Sequence, residues 1–471
     1  MKATTLALLA LLCAASCHAA TSGFTAAEEE GIKAFLSESF SHTNAGMVVA
    51  LVDERGVRVF GAGKLDNGTS QEVDGDTLFE IGSCTKTFTT LLALEMDRRG
   101  EIRLGDPVAK YLPKGVRVPS HGGKEITLLN LAAQESGLPF NADNLVGKDS
   151  KERYDNYSVE QLYAFLAGYR LTNDPGAKFQ YSNLGMSLLG HVMERRTATN
   201  FEALVLARIC RPLEMNSTCI TLAPDLSGRM ATGHDETGKP VPRFNLRLMA
   251  GAGALLSSAN DLSKFVSANL GFTQTPLKPL MDKMQVMRHR GAPGFGNTAM
   301  PWWDGGVYQP AGMELLGHGG GTVGGSAFIG FDRKERRGVV VLANQCVALA
   351  HTYPVGWRIL QRAPLKGLDI SAIAPVQEIV GLGAALALNQ QTHEVWITKV
   401  YSKSPAAEAG ISAGTVIQKI DGVSTEGKSL LECLNLLRGN EGTKVRLELV
   451  SPERTRTNTV ELVRHKLLIE G

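Results

Sequence analysis

Residues 76–99 read DTLFEIGSCTKTFTTLLALEMDRR. Residues 76–82 form a short approach, and from Ser83 onward Phe88, Leu91, Leu92 and Met96 recur on one helical face. Ser83 and Lys86 therefore stand at i and i+3 at the start of a helix, with side chains on the same side. A serine hydroxyl is a poor nucleophile until a base takes its proton. A lysine can be that base where burial and neighbouring cations disfavour its charged form. The helix N-terminus adds a field that favours a developing alkoxide. Chance supplies about one Ser-x-x-Lys in a chain of this size. This is the chain's single match, at the junction of a strand-like run and a helix, and its weight depends on what converges on it.

Upstream, Thr25 followed by Glu28 forms a capping box for a helix reaching about Phe40. GMVVALVD at 46–53 and VRVFG at 57–61 flank the turn Glu54-Arg55-Gly56 and predict a β-hairpin. Downstream, residues 126–270 alternate helical patterns with glycine and proline. Strand-like runs return at 315–317, 326–331 and 338–343. Early strands, a helical middle and late strands predict an α+β domain whose sheet is assembled from both ends and covered by helices.

Two more stretches carry groups suited to the chemistry of Ser83. Tyr181-Ser182-Asn183 follows the turn Pro175-Gly176 and opens an apolar helix. A tyrosine near a lysine can share its proton, and Asn183 can bond the lysine or orient a substrate carbonyl. By itself this tripeptide is explained by a helix cap beside a packed aromatic. His318-Gly319-Gly320-Gly321 ends a strand, where glycines let a substrate lie against the edge. The Gly321 amide, paired with that of Ser83, can form an oxyanion hole. A glycine-rich strand terminus with a lone histidine is the structural alternative.

In this order, Ser83-x-x-Lys86, Tyr181-x-Asn183 and His318-Gly319-Gly320 resemble the three motifs of the class C β-lactamase superfamily, which includes DD-peptidases, D-aminopeptidases and carboxylesterases. The stretches 126–139, 175–190 and 251–261 match as well, so the resemblance covers about residues 25–360. It implies a β-lactamase/transpeptidase-like antiparallel sheet flanked by helices, with a helical subdomain and the site between them. It also implies that Ser83 is acylated, Lys86 activates it and Tyr181 shuttles protons. Asn183, His318, Gly319 and Gly320 would contact substrate, with Ser83 and Gly321 as oxyanion donors. Where true class C β-lactamases carry Lys-Thr-Gly, this chain has His-Gly-Gly. His318 is neutral or cationic depending on pH, and Gly319 offers no hydroxyl, which weakens the case for efficient penicillin hydrolysis; a histidine here resembles the family's esterases and D-aminopeptidases, and the resemblance gives those activities weight. No Ser-Asp-Asn and no Gly-x-Ser-x-Gly occurs, so the class A site and the α/β-hydrolase elbow are disfavoured.

A fresh pattern of short strands and one helix follows a boundary at residues 364–375. Residues 375–468 resemble a PDZ domain, with Gly381-Leu382-Gly383-Ala384 as its carboxylate-binding loop and 404–410 and 414–422 as matching stretches. Such a domain takes a peptide C-terminus as an added strand; Thr415 stands where an acidic residue is usual. A domain that binds nothing is the structural alternative.

Composition narrows the rest. Of 471 residues, 43% are hydrophobic and 20% charged, and the net charge of +2 points to neither nucleic acid nor an anionic membrane as partner. Lys2, an apolar run at 6–12 and Cys17-His18-Ala19 resemble a secretory signal over residues 1–20, cut after Ala19 or Ala20. The expected location is periplasmic or extracellular, with lipid anchoring through Cys17 as the alternative. The apolar run is too short to span a bilayer. Beyond the signal remain Cys84, Cys210, Cys219, Cys346 and Cys433, an odd number that leaves at least one free thiol. Cys210 and Cys219 are near enough in sequence to pair. No C-x-x-C or H-E-x-x-H occurs, so neither metal nor other cofactor is expected. The reading is a secreted serine hydrolase acting on a small ester, peptide or β-lactam. The alternative is an idle hydrolase fold whose PDZ domain binds peptides.

Overall fold

The computed structural model describes residues 23–469 apart from 41–42, 148–153, 236–237, 293, 306–309, 311, 347–348, 367, 369–376, 389–393, 402–403, 429–432, 434–435 and 438–441. The expected export signal and Cys17 lie outside the described residues. The chain divides into two compact units, one ending at Leu368 and one beginning at Asp369. Among the described residues no helix is long and apolar enough to cross a membrane.

In chain order, the first unit positions its site with α1 (Ala26–Phe40), β1 (Gly46–Asp53), β2 (Gly56–Gly63), β3 (Phe79–Glu80) and α2 (Thr85–Arg98). There follow α3 (Asn183–Thr197), β4 (Leu256–Ser257), α4 (Ala259–Leu270), β5 (His289–Ala292) and β6 (Gly296–Thr298). The last are β7 (Leu315–Gly321), β8 (Ser326–Asp332), β9 (Arg337–Ala343) and α5 (Leu349–Leu360). The capping box at α1 forms: the Glu28 amide donates to the Thr25 hydroxyl at 3.2 Å and the Thr25 amide to the Glu28 carboxylate at 2.7 Å.

The sheet is antiparallel in the order β7-β8-β9-β1-β2. The N-terminal hairpin thus completes a sheet begun by the last three strands. Strands β1, β8 and β9 are buried at every position, which is why GMVVALVD and RGVVVLA are apolar without alternation. Helices cover both faces. Phe331 of β8 meets Trp302, which in turn meets Phe265 of α4, while Phe328, on the opposite face, meets Trp357 of α5 at 5.0 Å. Edge strand β2 is the partly exposed one.

In the second unit, β10 (Gln377–Gly381) pairs with a terminal strand at 465–469, and β11 (Ala384–Leu388) begins a sheet that continues through 395–400, 416–420, 444–450 and 457–463. Its own core includes Val395, Ile417, Ile420, Val445 and Leu447.

Cys210 and Cys219 are both free thiols, so the open question of a bridge between them resolves to none.

Helix α5 approaches the sheet closely at Gly356, where an added Cβ would stand 2.0 Å from the Phe328 ring. Gly356→Ala is expected to destabilise the first unit by about 1–3 kcal/mol through overpacking, read as a lowered urea midpoint.

Candidate active site

The helix expected from Ser83 begins slightly later. Residues Gly82–Cys84 make a 3₁₀ turn and α2 starts at Thr85. The cause is Gly82, held at φ +48° with its α-carbon against the Gly321 peptide; a Cβ there would lie 2.7 Å from the Gly321 nitrogen. Gly320 is equally constrained, since its Cβ would sit 2.0 Å from the Ile81 carbonyl oxygen. The glycine end of β7 therefore lies directly on the turn that presents Ser83.

Ser83 is partly exposed, whereas Lys86 is completely buried. Lys86 Nζ lies 2.9 Å from Ser83 Oγ and donates to the Ala252 carbonyl at 2.6 Å. It also stands 4.9 Å from the centroid of the Tyr181 ring. Burial draws its pKa down from the usual lysine range to about 7. At neutral pH a large fraction of Lys86 is thus a free amine beside the serine hydroxyl.

Tyr181 shares a hydrogen bond with the Ser83 side chain, and burial of its hydroxyl end pushes the phenol pKa up. Tyr181 therefore stays protonated across the physiological range. A phenol in that state can donate a proton or relay one. Its ring is stacked between Phe295 at 5.4 Å and Phe140 at 5.9 Å, with Trp303 at 6.2 Å edge-on. Ser182 caps α3, accepting from the Gly185 amide at 2.8 Å. The same residue is clamped from behind: its hydroxyl donates to the Pro139 carbonyl at 2.6 Å and its amide to Gln134 Oε1 at 2.6 Å. Asn183 donates to the Asn141 side chain at 3.3 Å, and among the described residues it makes no bond to Lys86.

His318 changes the sequence reading most. It is fully enclosed, packed on Trp303 at 4.1 Å. Burial and the charge of Lys86 hold its pKa well below the ordinary histidine value. The imidazole is therefore neutral throughout the physiological range, not cationic at mildly acid pH. Nδ1 lies 2.7 Å from the Gly319 carbonyl oxygen, which can only accept, so Nδ1 carries the proton. Nε2 is left as a bare acceptor, buried with no partner among the described residues.

Along β7, Gly317 exchanges both backbone bonds with Trp303, on the side away from β8. By the two-residue alternation of a strand, Gly319 and Gly321 face that same side. The Gly321 amide is thus aimed outward beside Ser83. Together these groups offer a hydroxyl beside a lysine amine, a protonated phenol and, at the strand edge, the outward amide of Gly321. That set suits acyl transfer.

Sequence reasoning missed Ala252, Gln134, Phe140, Asn141 and Phe295. The first holds Lys86 through a backbone carbonyl, which no residue type announces. Gln134 stands at φ +59°, and Phe140 is 56% exposed, yet neither signals in the sequence that it touches Tyr181 or its neighbours. Trp302 packs in the core, while Trp303 both packs and bounds the site.

In the second unit, the loop 381–384 turns at Gly383, φ +74°. Its carbonyls face inward: that of Leu382 accepts from the Ala406 amide at 2.9 Å, and that of Gly383 from the Tyr401 amide at 2.9 Å. Gly381 pairs with His465, and Ala384 with Val400.

Residues 24–351 match the family model described as beta-lactamase, and residues 396–451 one described as PDZ domain. A beta-lactamase of Escherichia coli K12 is 31% identical over 272 residues, 58% of this chain and 66% of its own length. The D-alanyl-D-alanine-carboxypeptidase/endopeptidase AmpH of that strain is 27% identical over 337 residues, 67% of this chain and 85% of its own. Among solved structures, the D-alanine carboxypeptidase AmpC from Burkholderia cenocepacia superposes with TM-score 0.58 at 25% identity, covering 71% of this chain and 99% of that one. A class C beta lactamase from Rhodobacter sphaeroides gives 0.58 at 25%, covering 72% and 97%.

The burial of Lys86 has a thermodynamic signature. The unfolded chain keeps this proton to about pH 10.4, while the folded chain releases it near pH 7. Between those values the unfolded state binds more protons, so stability rises with pH. Lys86→Met, which retains the apolar stem, is expected to remove up to about 1.4 kcal/mol per pH unit of that slope between pH 7 and 8.5. Urea unfolding of both proteins across this window measures it.

Proposed function

Because the chain belongs to the β-lactamase family and carries a PDZ domain, we propose that it is a serine hydrolase working through an acyl-Ser83 intermediate. The observation that carries this is the buried Lys86 amine, 2.9 Å from Ser83 Oγ and with its pKa drawn to about 7. Neutral Lys86 takes the hydroxyl proton as Oγ attacks the substrate carbonyl. The carbonyl oxygen, now anionic, is received by the amides of Ser83 and Gly321. Tyr181, hydrogen-bonded to the Ser83 side chain and with its ring 4.9 Å from the lysine amine, passes a proton to the departing alcohol or amine. Water then enters, and the same groups run in reverse to release the acid and restore Ser83.

His318 bears on the substrate class. Neutral and enclosed, it presents no cation to a substrate carboxylate. We therefore place uncharged esters and amides first, with D-amino-acid peptides and β-lactams as the other members of the range. The aromatic walls formed by Phe140, Phe295 and Trp303 support an apolar acyl or leaving group. Action after export is supported by the signal-like residues 1–20. For the PDZ domain we infer binding of peptide C-termini at the loop 381–384, with the β-strand addition usual for such domains.

Ser83→Ala is expected to lower kcat/KM for a p-nitrophenyl ester at least roughly a thousandfold and to abolish labelling by a fluorophosphonate. Unchanged turnover in purified protein would refute the proposal. Lys86 must be neutral to act as base. The wild-type kcat/KM is therefore expected to rise roughly tenfold per pH unit below about pH 7 and to level off above it. Steady-state comparison of that ester with nitrocefin and a D-Ala peptide ranks the substrate classes, the ester being expected to lead.

A further inference from the structure

One buried carboxyl beside the nucleophile has no part in the steps set out above. Glu80 ends β3, three residues before Ser83, and is 8% exposed. Its Oε2 accepts from the Thr322 hydroxyl at 2.6 Å, and its Oε1 from the Phe244 amide at 2.6 Å. Thr322 immediately follows Gly321. Its hydroxyl also accepts from the Gly324 amide at 3.3 Å, while its own amide donates to the Gly325 carbonyl at 2.9 Å. The hydroxyl thus sits at the centre of the turn that ends β7. Burying a carboxyl carries a desolvation cost, visible here as a raised pKa, with only Thr322, Phe244 and the charge of Arg243 opposing it.

That cost is spent at a particular joint. The two amides aimed at an oxyanion, those of Ser83 and Gly321, belong to segments far apart in sequence. Their separation depends on what crosses between them. The contacts of Gly82 and Gly320 set how near the segments come. Contacts of that kind do not by themselves prevent sliding along β7. A directional bond from the approach to Ser83 onto the residue after Gly321 does.

We infer that Glu80 and Thr322 are positioning residues for the oxyanion hole: their hydrogen bond fixes the Gly321 amide in register with the Ser83 amide. The inference rests on the acyl-Ser83 reading. Neither side chain touches substrate. Loosening the bond displaces one donor from the place where charge develops, which weakens transition-state stabilisation more than ground-state binding. The signature is a fall in kcat with KM nearly unchanged.

The test uses the full chain, a p-nitrophenyl ester, and active sites titrated with a fluorophosphonate. Thr322→Val keeps the shape and removes the hydroxyl, Thr322→Ser keeps the hydroxyl, and Glu80→Gln removes the charge. For Thr322→Val, kcat per titrated site is expected to fall roughly 10- to 100-fold with KM within about twofold. A boronic acid, whose tetrahedral adduct also places an oxygen in the hole, is expected to bind more weakly by a similar factor. Thr322→Ser is expected to retain most of the activity. A kcat per site within twofold of wild type in Thr322→Val overturns the inference, as does an equal loss in Thr322→Ser. If Thr322→Val does not fold, Glu80→Gln carries the same kcat, KM and boronate comparison. A wild type no more active than Ser83→Ala instead refutes the acyl-Ser83 reading, so the two failures are told apart.

Discussion

An ammonium group buried against a serine hydroxyl is the constraint on which the rest of this site depends. Among the described residues, Lys86 has Cys84 alone to oppose its loss of hydration. Its burial therefore lowers its proton affinity to about 7. The same charge, when present, disfavours protonation of His318, so the two bases are not both cationic in one enclosed space. Tyr181, whose ring stands 4.9 Å from the amine, is kept protonated by the same burial. One apolar enclosure thus sets three protonation states, each in the direction that acyl transfer requires.

The second constraint is how closely two backbones approach. Gly82 and Gly320 bring the edge of the sheet onto the turn carrying Ser83, at distances that admit no side chain. An edge strand has unpaired amides on its outer side, and here Trp303 occupies those of Gly317 while leaving Gly319 and Gly321 facing the site. The glycines at this strand end thus have two explanations: Gly320 by its contact with Ile81, and Gly319 and Gly321 by their place on the open strand edge.

The aromatic surroundings add a constraint of a different kind. Tyr181 is held between Phe140 and Phe295, and Phe295 also meets Trp303 at 5.1 Å. Phe295 comes from the β5–β6 hairpin, whose Arg288 and His289 both bind Glu135 beside the Gln134 clamp. Loops from separate parts of the chain are thereby tied to one tyrosine. Such stacking fixes the ring while its hydroxyl meets the Ser83 side chain.

The sequence alone determined the parts whose physics is local. The capping box at Thr25, the hairpin at 46–63 and the Ser182 cap follow from propensity and hydrogen bonding within a few residues. The buried strands follow from their unbroken apolar runs. The order of Ser83, Lys86, Tyr181 and His318 was legible because it resembles the three motifs of the family, each made of residue types suited to the chemistry. Only the tertiary structure decided what depends on packing across distant segments. It made His318 neutral, since burial and the proximity of Lys86 are not properties of a tripeptide. It paired Asn183 with Asn141, chose the Ala252 carbonyl for Lys86, set Phe295 on Tyr181 and joined Glu80 to Thr322. A residue type states which groups are available, but the dielectric around them and the partners they meet are created by the fold.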